Sequence, residues 1–163
     1  MALTRLGTNA ITSVPSSAIT ALPAGLGGKV LQVVTSSTST IASTTSTSYV
    51  PTNLAVSITP SSTSNKILII FNSSALHTTA SHNAISLALF RNSTELYVPQ
   101  QYIGWDTSSS DNQDVVGGTY LDTPSSVSSI SYNLQFKSKS GGSIKNVQAN
   151  NSTSTITAME ITG

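Results

Sequence analysis

The segment Ser128–Lys137 alternates large apolar and polar side chains, and this alternation limits what the chain can fold into. Its apolar positions are Ile130, Tyr132, Leu134 and Phe136, and the polar positions between them are Ser131, Asn133 and Gln135. Successive side chains of a β-strand point to opposite faces, so the pattern predicts a strand with one buried face. The end of the sequence repeats the pattern, with Ile156, Ala158 and Glu160 predicted to share one face.

Short segments of this kind, separated by polar turns, recur from Lys29 onward. No 11-residue window has a helical period, and the frequent β-branched residues favour strands. The predicted strands are Val30–Val34, Ala55–Thr59, Lys66–Asn72, Ala84–Arg91, Glu95–Val98, Asp114–Leu121, Ser128–Lys137, Ser143–Ala149 and Thr155–Thr162. Thr38–Ser48, almost wholly Ser and Thr, is predicted to be a surface segment or a polar edge strand. The fold class is therefore all-β, an antiparallel two-sheet jelly-roll sandwich, with an immunoglobulin-type sandwich as the alternative.

The first 28 residues have a different pattern, in which Ala10–Pro15 recurs eight positions later as Ala18–Pro23. Because proline cannot donate to a strand ladder and restricts the residue before it, we predict an extended arm over residues 1–28. Three glycines within residues 25–28 form a joint to a head domain, residues 29–163. The apolar residues predicted to anchor the arm are Leu3, Leu6, Ile11, Val14, Ile19 and Leu22. The alternative is a flexible linker.

Charge and cysteine content exclude several classes of function. Charged residues make up only 8% of the chain, and the net charge is +1. Such a chain offers no basic patch for nucleic acid or an anionic membrane. No segment approaches the roughly 20 apolar residues of a membrane span, and the N-terminus lacks a secretory signal, so we expect assembly in the cytoplasm. The absence of cysteine excludes disulfides and thiolate metal sites.

Five blocks of the sequence stand in an order that resembles a family of small virion proteins of marine phages. The blocks are KVLQVV, ITPSSTSNKILIIF, SLALFRNSTELY, TYLDTPSSVSSISYNLQF and STITAMEI, and together they cover Lys29–Ile161. The resemblance implies a jelly roll of the tumour-necrosis-factor-like type, usually a homotrimer, in a tail fibre, head fibre or capsid decoration. The N-terminal LTRLGTNAIT resembles the attachment end of phage fibre proteins. No catalytic or cofactor-binding residue is carried over.

We therefore expect a virion structural protein, not an enzyme, that binds no cofactor. The expected form is a trimeric fibre or spike anchored by its arm to tail, portal-proximal or capsid proteins, with heads that contact the host, including surface glycans. A capsid decoration protein is the alternative within this class. A free carbohydrate-binding module is the alternative from another class.

Few residues are candidates for chemistry. His77 and His82 lie five apart without further metal ligands that can be named, so we expect no metal site there. The serines lack the sequence context of an activated nucleophile. The acidic residues concentrated between Asp106 and Asp122 match no calcium-loop spacing, which favours a solvated loop.

The most aromatic segment contains Tyr97, Tyr102 and Trp105. Aromatic rings of this kind either stack on sugars or fill a core or a subunit contact, and we favour the second interpretation. If the head has a receptor-facing site, we expect it in the polar loop from Gly104 to Asp114. The residues predicted for that site are Tyr102, Trp105, Asp106 and Asp111.

Overall fold

The computed structural model describes residues 29–78, 84–104, 112–139 and 144–163. The arm of residues 1–28, with its predicted anchoring residues, lies outside these ranges. The strands are β1 (Val30–Thr38), β2 (Ala42–Thr44), β3 (Val50–Ile58), β4 (Lys66–Thr78), β5 (Ile85–Arg91), β6 (Thr94–Ile103), β7 (Asn112–Asp122), β8 (Ile130–Ser138), β9 (Lys145–Val147) and β10 (Ser154–Ile161). A 3-10 turn at Ala149–Asn151 links β9 to β10. Within these ranges no helix is long and apolar enough to cross a membrane.

Antiparallel pairing arranges the strands in two sheets. In the first sheet β4 is central, with β7 along one side and β10 followed by β9 along the other. Next to these lie β1, which pairs with β10, and β2, which pairs with β9. The second sheet has the order β3-β8-β5-β6. The two four-strand layers, ordered β1-β10-β4-β7 and β3-β8-β5-β6, are the two sheets of an eight-stranded jelly roll. The predicted jelly-roll sandwich is confirmed.

The strand bounds differ from the predicted ones in places. Most strands are longer, because pairing continues through polar residues that carry no apolar signal, as in β1 up to Thr38. The predicted strand Ser143–Ala149 is wrong in extent, since β9 ends at Val147. Gln148, Asn150 and Asn151 follow in the left-handed backbone region, which no strand can continue through. The Thr38–Ser48 segment contains β2, a three-residue polar edge strand.

The core lies between the two sheets and is built from their alternating positions. All four apolar residues of the β8 stripe are buried, at 3% exposure or less. Ile67, Ile69 and Phe71 of β4 face them from the first sheet and are equally buried. Ile156 and Ala158 of β10 are fully buried as well, so the predicted inward face of the last strand is confirmed.

A row of polar groups closes one end of this core. The polar residues Gln32 of β1, Glu160 of β10 and Asp122 of β7 lie in one register row, in which Ile67 of β4 stands between Glu160 and Asp122. Glu160 is 1% exposed but accepts hydrogen bonds from the Gln32 amide at 2.6 Å and the Asn65 amide at 2.6 Å. It also accepts from the backbone N–H of Ser61 at 2.6 Å and from its hydroxyl at 2.8 Å. One carboxylate therefore ties the β3–β4 loop to the first sheet.

The second carboxylate of this row joins the two sheets. Asp122 of β7 accepts two hydrogen bonds of 3.0 Å from the Arg91 guanidinium of β5. It also accepts a 2.6 Å hydrogen bond from the Tyr132 hydroxyl of β8. Burial raises the pKa of Tyr132, and the hydrogen bond to Asp122 raises it further, so the phenol stays a donor. These three hydrogen bonds, which come from two donor groups, pair both oxygens of the buried carboxylate.

We expect Gly118→Ala to destabilise the fold. Gly118 lies opposite Phe71 across the β4–β7 pair, and a Cβ there would stand 2.4 Å from Cζ of that ring. The ring must shift in a packed core, which costs about 1–3 kcal/mol. Gly117→Ala is the matched control, because its Cβ would meet only the Phe71 carbonyl oxygen at 3.4 Å. Chemical denaturation of both variants measures the difference, and equal unfolding midpoints would contradict the packing described.

We expect stability to fall as the pH drops from about 4.5 to about 2. Burial by itself raises the pKa of Glu160, but the hydrogen bonds from Gln32, Asn65 and Ser61 outweigh burial and hold it at about 2, below its ordinary value of 4.5. A carboxyl whose pKa is lower in the folded chain stabilises the fold above its unfolded pKa and loses that effect below it.

In Glu160→Gln an amide NH2 group replaces one carboxylate oxygen. This NH2 group is a donor and cannot accept the hydrogen bonds that Gln32, Asn65 and Ser61 donate to the carboxylate. The variant is therefore expected to be less stable than the wild type at pH 7, by a margin that shrinks toward pH 2. Urea denaturation between pH 2 and pH 7 measures this margin, with Glu95→Gln on the exposed surface of β6 as the control. A margin that is the same at every pH would show that the Glu160 carboxylate does not act in this way.

Candidate assembly surface

The outer face of the first sheet, which points away from the core, carries a continuous row of apolar side chains. Val33 of β1 pairs with Met159 of β10, Met159 with Leu68 of β4, and Leu68 with Leu121 of β7. Neighbouring strands lie about 4.8 Å apart, so this row crosses the whole sheet over roughly 14 Å. Apolar residues occupy neighbouring rows too. We call this set the outer apolar face: Val30, Val33, Leu68, Ile70, Leu121, Met159 and Ile161.

The alternation of each strand brings these residues to the same face. In β4, Ile67, Ile69 and Phe71 point into the core, so Leu68 and Ile70 point outward. Val33 is 56% exposed and Leu121 50% exposed, at the two edges of the sheet. A large apolar surface in water marks an interaction site more often than a single exposed apolar residue does.

The outer apolar face carries very little charge. Lys66 lies at its border, opposite Ile161 in register, while Glu160 and Asp122 on the same strands turn inward. Away from Lys66 the face continues with hydroxyl groups, where the Thr35 and Thr157 hydroxyls lie 3.1 Å apart. A neutral surface of this kind suits a contact with another protein surface, because no charge has to be removed from water.

One sequence feature, a continuous apolar run in β4, indicates this outer face, but the strand predictions did not use it. Residues 67–71, Ile-Leu-Ile-Ile-Phe, are apolar at every position, so apolar and polar side chains do not alternate here. A continuous apolar run indicates a strand covered on both faces. The run lies in β4, whose inner face meets the core and whose outer face carries the partly exposed Leu68 and the exposed Ile70.

The predicted receptor-facing residues are only partly within the described ranges. Trp105, Asp106 and Asp111 lie outside them. Tyr102 of β6 is 56% exposed, and the ammonium group of Lys139 lies 4.8 Å from its ring centre. The base of the loop is held together by Asp114, whose carboxylate accepts a 2.8 Å hydrogen bond from the backbone N–H of Gly104.

Tyr97, from the same aromatic segment, is partly buried and packs against the core instead of forming an exposed platform. Its ring stacks on that of Tyr120 at 5.7 Å between centres, where β6 of one sheet meets β7 of the other. Both residues pack against the core. The expectation that these rings pack against a core therefore holds for Tyr97. It does not hold for Tyr102, whose side chain is exposed to solvent.

Two surface depressions lie near the other end of the sandwich. One, of about 330 Å³, is lined by Ser74, Gln113, Asp114, Val115 and Ser152. The other, of about 560 Å³, is lined by Ser43, Thr44, Thr45, Ile144 and Asn146. In the described part of the chain, no three His, Cys, Asp or Glu residues come together to hold a metal ion.

Comparisons with known proteins identify no family. No protein-family model matches the chain, and no curated protein matches it. Among solved structures the chain is similar to the infectious bursal disease virus VP2 subviral particle, with 12% sequence identity and a TM-score of 0.44. The similarity covers 80% of this chain and 39% of the VP2 chain, so this chain spans well under half the length of that protein. The jelly-roll assignment rests on the strand pairing described above.

Proposed function

We propose that the chain is a structural subunit of a virus particle that assembles through its outer apolar face. The observation that supports this most directly is the four-strand row Val33, Met159, Leu68 and Leu121. A monomer would leave this row in water, whereas neighbouring copies can cover it with other parts of an equally neutral surface. The order of sequence blocks that resembles phage virion proteins supports the particle as the location.

The proposed assembly is a closed homotrimer. Threefold symmetry follows from the resemblance to tumour-necrosis-factor-like virion proteins, and the outer apolar face supplies a surface for it. In a closed ring each copy presents one part of the face to one neighbour and another part to the other neighbour. Solubility of the assembled head would then come from the hydroxyl groups that cover the rest of the surface.

In this proposal the N-terminal arm fixes the head to the particle. Leu3, Leu6, Ile11 and Val14 would bind a tail, portal-proximal or capsid protein, and the heads would project outward. A fibre or spike fits a head joined to its anchor through the glycines of residues 25–28. A capsid decoration protein would use the same anchor and the same trimer, lying flat on the shell.

A free carbohydrate-binding module is the second candidate function. The exposed ring of Tyr102 favours it, because sugars stack on aromatic faces that reach into water. Such a module would bind glycans without its arm, whereas the virion subunit needs its arm to join the particle.

We expect the full-length chain to have a solution mass near three times 16.8 kDa. Val33→Lys combined with Leu121→Lys places two charges at opposite ends of the row and is expected to shift the mass toward 16.8 kDa. Both side chains are half exposed in the isolated head, so the fold itself should tolerate the change. Light scattering after size-exclusion chromatography at micromolar concentration measures the mass.

Val127→Lys is the matched control for this experiment. Val127 is 54% exposed in the β7–β8 connection and is not one of the residues of the outer apolar face. This variant is expected to keep the wild-type mass. A wild-type monomer, or a double variant that remains trimeric, would contradict assembly through this face.

Arm variants separate the virion subunit from the carbohydrate-binding module. Leu6→Asp combined with Ile11→Asp places charges in the predicted anchor and leaves the head unchanged. We expect at least a tenfold loss of incorporation into particles, measured by immunoblotting of purified virions, with the trimer mass unchanged. Full incorporation of the variant, or retained glycan binding by a chain that never joins particles, would favour the second candidate.

A further inference from the structure

The outer face of the second sheet carries two lysines close together, unlike the outer apolar face of the first sheet. Phe136 of β8 is buried in the core, so Lys137, the next residue, points outward. Lys139 follows two residues later, and its backbone N–H donates a 3.0 Å hydrogen bond to the carbonyl of Ala84, just before β5. Two residues of extended chain span about 7 Å, so both ammonium groups reach the same part of this face.

An aromatic ring positions each of these ammonium groups. Nζ of Lys137 lies 4.1 Å from the ring centre of Tyr49. Nζ of Lys139 lies 4.8 Å from the ring centre of Tyr102 and donates a 3.4 Å hydrogen bond to the side-chain oxygen of Gln101. A ring attracts a cation through its quadrupole and does not neutralise it. Both lysines are therefore held in place with their full charge.

The Tyr49 ring is itself held by two contacts with β5. Its hydroxyl lies 3.1 Å from the hydroxyl of Ser86, and its ring meets the Phe90 ring edge to face, with centres 5.3 Å apart. Ser86 is 1% exposed and Phe90 8% exposed, so both contacts are sheltered from water. A ring fixed in this way restricts Lys137 before a ligand arrives, which lowers the entropy cost of binding.

The positive charge lies toward one end of this face. Within the described ranges neither lysine forms a salt bridge with a carboxylate. Glu95 is in register with Phe90 of β5, whereas Lys137 is in register with Ser86. Four strand residues separate these two positions of β5, about 13 Å along the strand. The end that carries the lysines therefore suits an anionic group.

The neighbouring groups indicate which class of anion fits. Tyr102 is 56% exposed and Gln101 is exposed beside it, and an aromatic ring with a side-chain amide suits a sugar. Phe90 and Ala88 in the middle of the sheet are buried, so the face lacks the exposed apolar centre of a protein interface. Two cations are also few for a nucleic acid, whose binding neutralises several phosphates.

We propose that the outer face of the second sheet binds an acidic glycan. The carboxylate or sulfate group of the glycan accepts hydrogen bonds from the ammonium groups of Lys137 and Lys139, and its sugar ring lies against Tyr102. Tyr49 is a positioning residue, because it acts through Lys137. The inference names a ligand class for the head and does not depend on the proposed trimer, since the outer apolar face belongs to the other sheet.

Isothermal titration calorimetry of the full-length chain at low ionic strength tests this site with three hexasaccharides. One is built from galacturonic acid and carries carboxylates, one from sulfated galactose, and one from uncharged galactose. We expect at least one acidic hexasaccharide to bind at least ten times more tightly than the uncharged one. The comparison of the two acidic sugars identifies whether the site takes a carboxylate or a sulfate. Failure of both to bind would overturn the proposal.

Lys137→Gln combined with Lys139→Gln removes both charges, and is expected to weaken binding of the acidic hexasaccharide at least tenfold. Lys29→Gln combined with Lys66→Gln is the matched control. It removes the same charge from two exposed lysines that do not belong to the second sheet, and is expected to keep the wild-type affinity. Equal affinities for the two double variants would overturn the proposal, because the total charge and not this site would then determine binding.

A hexamer of glutamate separates a glycan site from a general site for anions. We expect it to bind at least ten times more weakly than the acidic hexasaccharide, and Tyr102→Ala to weaken only the binding of the sugar. Equal affinity for peptide and sugar would overturn the proposal and assign the site to acidic peptides. Light scattering of the same samples keeps the two proposals apart. A trimer that binds no acidic glycan contradicts this inference alone, and a monomer that binds it contradicts the proposed assembly alone.

Discussion

The fold depends on β4, a central strand of the first sheet with apolar residues on both faces. Its inner residues Ile67, Ile69 and Phe71 meet the β8 stripe and form the centre of the core. Its outer residues Leu68 and Ile70 form the middle of the outer apolar face. The same run of five residues thus stabilises the monomer and supplies the surface through which we propose that copies assemble. Burial of apolar area drives both processes.

This chain has few charged residues, and some of them are buried where they hold loops and sheets together. Two of its six acidic residues, Glu160 and Asp122, face inward on the same row of the first sheet. Each is paired by several donors, so their burial costs little and their hydrogen bonds fix how loops and sheets meet. Keeping these carboxylates inside also leaves the outer face of the same strands neutral. Lys145, buried near the other end of β4, is a third inward-facing charge, and burial lowers its pKa.

Alternation in the sequence determined the fold class, the inward set of β8 and the inward set of β10, because a strand's side chains alternate whatever its neighbours are. It also placed most strands, although left-handed residues at Gln148 and Asn150 ended β9 earlier than its composition predicted. The register between strands was decided only in the tertiary structure. Val33, Met159, Leu68 and Leu121 are far apart in the chain, and no local pattern shows that they form one row. The hydrogen bonds of Glu160 with Ser61 and Asn65 could not be predicted from the sequence either, because they join residues almost a hundred positions apart.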